Sequence, residues 1–406
     1  MGATKYIDGN LSSDCTSGNY SIANRNCTGS DGDALKAFPA NLWDVYTGGD
    51  TVYVRAGTYN VTNCGSGNYS SMMTLSGYGS ERPVINNPSV SNGDTFALAS
   101  DANNTTFKQL KFTMSRTVDI GGQHIGASSS SNGYIVVDDC EFDGHNFCHI
   151  RGGYKFWIKN CVFKNWGMAG YNDHAIYVFG TQSSGNESII EHNYFEQTQY
   201  GGSSIGACVH IYKDGLVPGP QYYIVRNNIM NGYYVWGVLC DGSNNKIYNN
   251  SFFSNTSMGS TGYVVQQEQG YTGNEVRNNI FSGSMVYVVY CQDSCPNPII
   301  ITNNITNGSS IHQTCSGTIT NNITSATIGY TTSPPTAWTD FKLQSNSNAI
   351  NAGTNLGAGY DQALDPNDIT WPPSTVDQDS YGNWEIGAFV YDAGGGATPL
   401  YIDVNW

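Results

Sequence analysis

Eight times between residues 136 and 324 a short β-branched or aromatic run is closed by a polar pair and reopened by an apolar residue or threonine. The copies are VVDDCEF (136–142), WIKNCVF (157–163), IIEHNYF (189–195), IVRNNIM (224–230), KIYNNSF (246–252), EVRNNIF (275–281), IITNNIT (300–306) and TITNNIT (318–324). Each predicts a strand, a tight turn and the start of another strand. Counted on their last residues (Phe142, Phe163, Phe195, Met230, Phe252, Phe281, Thr306, Thr324), the copies lie 21, 32, 35, 22, 29, 25 and 18 residues apart. A strand-rich unit recurring at that interval predicts a solenoid, each copy one coil stacked on the last. Antiparallel hairpins also have polar turns, but they need a primed two-residue turn between successive strands, and here each unit outlasts two strands. The chain therefore reads as all-β, a parallel β-helix.

The second polar position forms a column of its own: Cys140, Cys161, Asn193, Asn228, Asn250, Asn279, Asn304 and Asn322. Asparagine tolerates the left-handed backbone of a sharp turn, and its amide can bond the one above and below at about 4.8 Å, so the column predicts an asparagine ladder. Helical apolar spacing occurs in DALKAFPANLW at 33–43, which predicts a short amphipathic helix over the open first coil, inside a capping region of about residues 30–60. After 324 the rhythm stops, and Pro334–Pro335 cannot sit in a ladder. Residues 1–392 are read as one domain whose 325–392 segment caps the C-terminal end, with 393–406 as a tail.

Composition narrows the function. A net charge of −15 excludes a nucleic-acid partner, whose phosphates need a basic surface, and disfavours a bare polyanion unless cations intervene. Eleven cysteines point to an oxidising, extracellular compartment, with Cys15–Cys27 and Cys291–Cys295 the expected local disulfides. Cys140 and Cys161 are either a disulfide or small core residues. No apolar run is long enough to cross a bilayer, and no signal peptide is read, as if an export signal had been removed.

KYIDGN at 5–10 with GGDTVYVRAGTY at 48–59 resembles the opening coil of secreted right-handed parallel β-helix proteins, the pectate-lyase-like superfamily. FKLQSNSNAINAGTN at 341–355 and DSYGNWEIGAFVYD at 379–392 are similar to the closing segment of the same proteins. With the repeats between them, the resemblance spans nearly the whole chain. It implies a right-handed coil and a carbohydrate-active protein, but the fold carries lyases, hydrolases, epimerases and non-catalytic binders alike. The NTD, DD and RIK set of polygalacturonases and the vWiDH motif of pectate lyases are absent. YNDHAIY at 171–177 is similar to the Tyr, Asp and His cluster of β-helix alginate epimerases, with a departing spacing that transfers no role.

The strands after the polar turns end in HAIYVFG (174–180), VHIYKDG (209–215), WGVLCDG (236–242), VVQQEQG (264–270) and VVYCQD (288–293). Aligned on their terminal turns, they place Asp214, Asp241, Glu268 and Asp293 at one height of four coils, beside an outer stripe of Tyr177, Tyr212, Leu239 and Gln266, with Phe179 above Asp214. Stacked carboxylates repel unless a cation intervenes, so the wall is a candidate Ca2+ site able to hold a uronate, although Asp-Gly is also ordinary turn chemistry. Lys213 and His210 are the candidate bases, and Tyr212 or Tyr177 the acid. Tyr177, Phe179, Arg151 and His174 are candidate substrate contacts, and Trp236 adds a further ring. Asp143, His145, His149, Arg151 and Asp173-His174 form a second group with acid/base or ligand potential, though the phase of His174 with Ile176 turns it partly toward the core. Three readings stay open: a Ca2+-dependent lyase cleaving an acidic polysaccharide by β-elimination, a glycoside hydrolase using two stacked carboxylates, and a non-catalytic polysaccharide-binding or cell-surface filament protein.

Overall fold

The computed structural model describes residues 2–88, 93–114, 122–127, 133–145, 148–153, 155–166, 174–198, 206–212, 221–232, 236–255, 263–267, 271–284, 287–291, 298–308 and 310–393. Each coil lays down three strands. In one coil these are Tyr134–Asp138, Glu141–His145 and Cys148–Gly152, after which the chain returns as Lys155–Lys159. Tyr134 pairs with Lys155, Phe142 with Phe163 and Ile150 with Ile176, all in parallel register. Three parallel stacks result, called here the first, second and third sheets in the order the chain visits them. The first and third are joined where the long strands Cys64–Gly77 and Phe96–Lys108 run from one into the other. The coil is a right-handed parallel β-helix, the sense that parallel crossovers adopt.

Like side chains pile up inside. Phe112, Phe142, Phe163 and Phe195 stack with centroids 4.7, 4.9 and 4.9 Å apart, one ring per coil of the second sheet. At the turn between the first and second sheets, the two polar positions divide the work. The first takes the left-handed backbone: Asp139, Asn160, His192, Asn227, Asn249, Asn278, Asn303 and Asn321 have φ between 51° and 59°. The second points inward. Asn193, Asn228, Asn250, Asn279 and Asn304 each donate from Nδ2 to the Oδ1 of the next asparagine at 3.0 Å, and that Oδ1 also accepts the backbone N–H of the residue before it in the column; Asn322 ends the run and donates to the Ile301 carbonyl. The expectation that one asparagine would serve both purposes is thus corrected. An inward amide and a positive φ are demands on two adjacent residues.

The expected amphipathic helix at 33–43 does not form. Asp33–Leu35 is a strand paired with Thr4–Ile7, and a single 3-10 turn occupies Leu42–Asp44. Pro39 interrupts the helical hydrogen bonding, and the unpaired edge of Thr4–Ile7 offers the backbone a ladder instead. Leu42 and Tyr46 still enter the core of the first coils. Cys15 and Cys27 form a disulfide as expected, whereas Cys291 joins Cys315 on a neighbouring coil. Cys295 lies outside the described residues; stacking, not sequence proximity, selects the partner of Cys291. Cys140 and Cys161 are free thiols in the core. Residues after Thr324 run back along the outside of the second sheet, where Ile328, Phe341, Leu364 and Phe389 cover Ile229, Phe253, Ile280 and Ile305. Trp371 reaches far enough to donate its indole N–H to the Asn160 carbonyl at 3.1 Å.

Removing one amide from the middle of the column tests its weight. Asn250 is fully buried and uses both its oxygen and its nitrogen. Asn250→Ala is expected to lower unfolding free energy by about 3 kcal/mol, because partners on both sides lose buried bonds. Asn322→Ala, at the half-exposed end of the column, costs about 1 kcal/mol or less. Urea denaturation of the two variants measures the difference, and equal losses would contradict the ladder's cooperative role.

Candidate active site on the third sheet

Alternation breaks in three strands of the third sheet. Ala175 and Ile176 both belong to the core, as do Cys208 with Val209 and Val288 with Val289. Two consecutive inward residues make the strand turn a corner, so residues on either side of the pair both face outward. His174 therefore lies on the outer side with Tyr177, and its expected core-facing phase with Ile176 is corrected.

The register also differs from the one suggested by the terminal turns. Tyr177 pairs with His210, His210 with Leu239 and Leu239 with Gln266. Tyr212 is one step further along, its N–H bonded to the Val178 carbonyl, and Asp241 bonds likewise to Ile211. The second stripe is thus Phe179, Tyr212 and Asp241. A two-residue shift preserves which side chains face in, so hydrophobic alternation could not reveal it. Contacts between Ile176, Val178, Val209 and Ile211 set the stacking, and the Asp-Gly turn follows.

This register builds a hydrogen-bonded chain across three coils. The Ala207 N–H donates to His174 Nδ1 at 2.9 Å; His174 Nε2 and His210 Nδ1 are 2.9 Å apart; His210 Nε2 lies 3.1 Å from Asp241 Oδ2. An amide can only donate, so neutral His174 must carry its proton on Nε2 and give it to His210 Nδ1. His210 then carries its own proton on Nε2 and donates to the Asp241 carboxylate. One backbone N–H fixes two tautomers. Burial holds His174 well below the usual imidazole range, with His210 beside it acting in the same direction, and pushes His210 down to about 3. Both rings are neutral near pH 7.

Aromatic rings surround this chain. Tyr177 stacks on His174 at 5.4 Å, meets His210 edge-on at 5.1 Å and lies 5.1 Å from Tyr212. The Arg151 guanidinium, directly across the ladder from Tyr177, sits 5.5 Å from the Tyr177 ring and 5.6 Å from the Phe179 ring. Arg151, His174, Tyr177, Phe179, His210, Tyr212 and Asp241 are therefore one cluster. Lys213, Asp214, Glu268 and Asp293 lie outside the described residues, as does Asp173. The second expected group separates: His149 points into the core, stacked on His124 at 5.5 Å, while Asp143 is on the second sheet, bonded by Asn165. The corner that sends His174 outward sends His149 inward.

Asp241 does not present an open cation site. It is 2% exposed, and its Oδ2 accepts from a neutral imidazole. Among the described residues, Asp361, Asp377 and Asp379 bring carboxylate oxygens within 4.8 Å of one another, on the C-terminal segment. Asp379 Oδ1 already accepts from Asn355 and Trp384, and Asp377 Oδ1 from the Asp379 N–H.

No protein-family model matches the chain, and no curated protein matches it. Solved structures do. Pectate lyase Pel9A is 16% identical, with 96% of each chain covered and a TM-score of 0.45. An alginate lyase from a Paenibacillus strain is 16% identical over 69% of this chain and 94% of its own, with a TM-score of 0.44. PfbA, a surface adhesin of Streptococcus pneumoniae, is 13% identical over 66% of this chain and 84% of its own, at 0.37. The architecture itself is decided by three all-parallel stacks wound in one sense. It is a right-handed parallel β-helix. Within a β-helix the coil is shared by unlike activities, so the activity of this one has to be read from its outer face.

Buried neutral imidazoles make the β-helix acid-sensitive. His149 donates from Nε2 to the Lys164 carbonyl at 3.0 Å, and burial pushes its pKa down to about 3 from 6.5. Between those pH values the unfolded chain binds the proton that the folded chain refuses. Stability is then complete above about pH 6.5 and declines as the pH falls toward 3, by up to about 1.4 kcal/mol per pH unit for each such histidine. Melting curves from pH 7 to 4 measure the slope. His149→Phe, a ring among Phe142 and Phe163, is expected to flatten it, and an unchanged slope would contradict the assignment.

Proposed function

We propose that the third-sheet face binds an acidic polysaccharide outside the cell and cleaves it by β-elimination. Arg151 carries this reading. Among the described residues Arg25, Arg55, Arg82, Arg226 and Arg277 each lie within 3.0 Å of a carboxylate. Arg151 instead lies over two rings and has no carboxylate partner among the described residues. In a chain of net charge −15, an arginine that no carboxylate among the described residues claims is suited to an anion from outside. A planar uronate carboxylate matches its fork, and the Tyr177, Phe179 and Tyr212 rings suit the apolar faces of sugars. The two disulfides support the extracellular setting.

In β-elimination a base removes the C5 proton. The C5–H electron pair becomes the C4=C5 double bond as the C4–O4 bond breaks, and an acid returns a proton to the departing oxygen. Charge builds on the uronate carboxylate, where Arg151 stabilises it. Tyr212, with Tyr177 behind it, is assigned the acid, and Lys213, its neighbour in sequence, the base. His210 is not the base in this scheme: it is 7% exposed, and both its nitrogens are engaged. It positions Tyr177 and Tyr212 by packing against both. Calcium held by Asp214, Glu268 and Asp293, which lie outside the described residues, is the other means of neutralising a uronate. A second reading, binding without cleavage, is favoured by one observation: the facing nitrogens of His174 and His210 are taken up by each other.

Incubation with polygalacturonate and with alginate tests the proposal. Cleavage is expected to give an unsaturated product absorbing in the ultraviolet, and Arg151→Ala to lower kcat/KM about 100-fold or more. Activity that survives chelation assigns the neutralisation to Arg151, and loss reversed by Ca2+ assigns it to a cation. New reducing ends without ultraviolet absorbance would contradict β-elimination, and binding without any product would favour the second reading.

A further inference from the structure

A second concave surface lies on the other side of the molecule. Where the returning C-terminal segment crosses the outside of the second sheet it leaves a groove of about 350 Å3, within the range of small-ligand sites. Its floor is built by vertical stacking: Lys164 pairs across the ladder with Glu196, and Val162 with Tyr194. Lys164 Nζ sits 3.8 Å from Glu141 Oε1 and 3.8 Å from Glu196 Oε2, so one cation bridges carboxylates from the coils on either side. The wall is Trp338 and Trp371, their rings 5.5 Å apart at 68°.

The wall is held in place. Trp371 is fixed by its bond to the Asn160 carbonyl and by Tyr194, 5.7 Å away. Trp338 opens a 3-10 turn tied by Asp340 to the backbone of Thr336 and Ala337, and its ring stacks on Phe389. Both indoles are half-buried and line the groove. Fixed indole faces beside fixed hydrogen-bonding carboxylates are what a sugar ring requires: C–H faces rest on the rings while hydroxyls donate to oxygen.

Charge selects which sugar. The groove is lined by two cations, Arg82 and Lys164, and three carboxylates, Asp139, Glu141 and Glu196. Both cations are already held by those carboxylates. An incoming uronate would meet these carboxylates with no cation released to it, since Lys111 as well as Lys164 is taken up by Glu141. We infer that this groove binds a short neutral stretch of glycan, as a site separate from the Arg151 face. A chain attached here by its neutral part leaves acidic parts, or neighbouring acidic chains, free for the third sheet.

Calorimetric titration of the full chain with cellohexaose, xylohexaose and mannohexaose, with trigalacturonate as the charged control, tests this. At least one neutral hexasaccharide is expected to bind, and to bind tighter than trigalacturonate by tenfold or more at this groove. Trp371→Ala and Glu196→Gln are each expected to weaken that binding at least tenfold. Glu196→Gln keeps the side chain's shape, so it reads binding even if Trp371→Ala fails to fold. Arg151→Ala, on the third sheet, is expected to leave it unchanged while lowering kcat/KM for cleavage about 100-fold or more, so the two sites fail separately. Absence of binding by all three hexasaccharides overturns the inference, as does binding that persists in both groove variants or is lost in Arg151→Ala.

Discussion

The structure depends on vertical neighbours being chemically alike. A coil has no partner but the coil above and the coil below, so each residue must satisfy a copy of its own environment at strand spacing. Stacked phenyl rings and the run of inward amides meet that demand in different ways. The rings need only size and shape. The amides need a donor and an acceptor pointing opposite ways along the axis, which asparagine has and cysteine lacks. Where Cys140 and Cys161 occupy the column, their thiols turn to strand carbonyls instead, and the bonded run begins only at Asn193.

The same logic produces the outer cluster. Two successive inward residues in three of the third-sheet strands place one side chain on each side of a corner, and stacking then brings copies of both together. His174 comes from one side of its corner, His210 from the other side of the next, and their nitrogens meet at 2.9 Å. The direction of that bond is settled by the Ala207 amide, a backbone group with no freedom to reverse. A buried, neutral and fully bonded imidazole pair is a rigid support. It holds Tyr177 and Tyr212, and through Tyr177 the guanidinium of Arg151.

The coil was legible because the repeat carries its own register: VRNN and TNN mark one turn whatever lies between. The site was legible only by composition. Tyr177, His210 and Tyr212 could be placed on one outer wall, since alternation distinguishes in from out, but their heights could not, and the same alternation turned His174 partly toward the core. Aligning HAIYVFG with VHIYKDG on the closing glycine puts Tyr212 beside Tyr177, and the true pairing puts His210 there. Both alignments bury Val209 and Ile211, so the sequence holds no penalty against the wrong one. The difference lies in the packing of Ile176 on Val209, a tertiary contact. For the same reason Cys291 could not be matched to Cys315 from spacing, and Pro39 outweighed a helical pattern that was otherwise present.

The whole account of the outer face rests on that two-residue choice of register, and an experimental crystal structure of the protein decides it. Electron density over residues 174–178, 207–212 and 236–241 should show His210 lying between Tyr177 and Leu239, with its imidazole bridging His174 and Asp241. Density with Tyr212 beside Tyr177 and Asp214 level with Asp241 would contradict it, returning the face to a wall of stacked carboxylates.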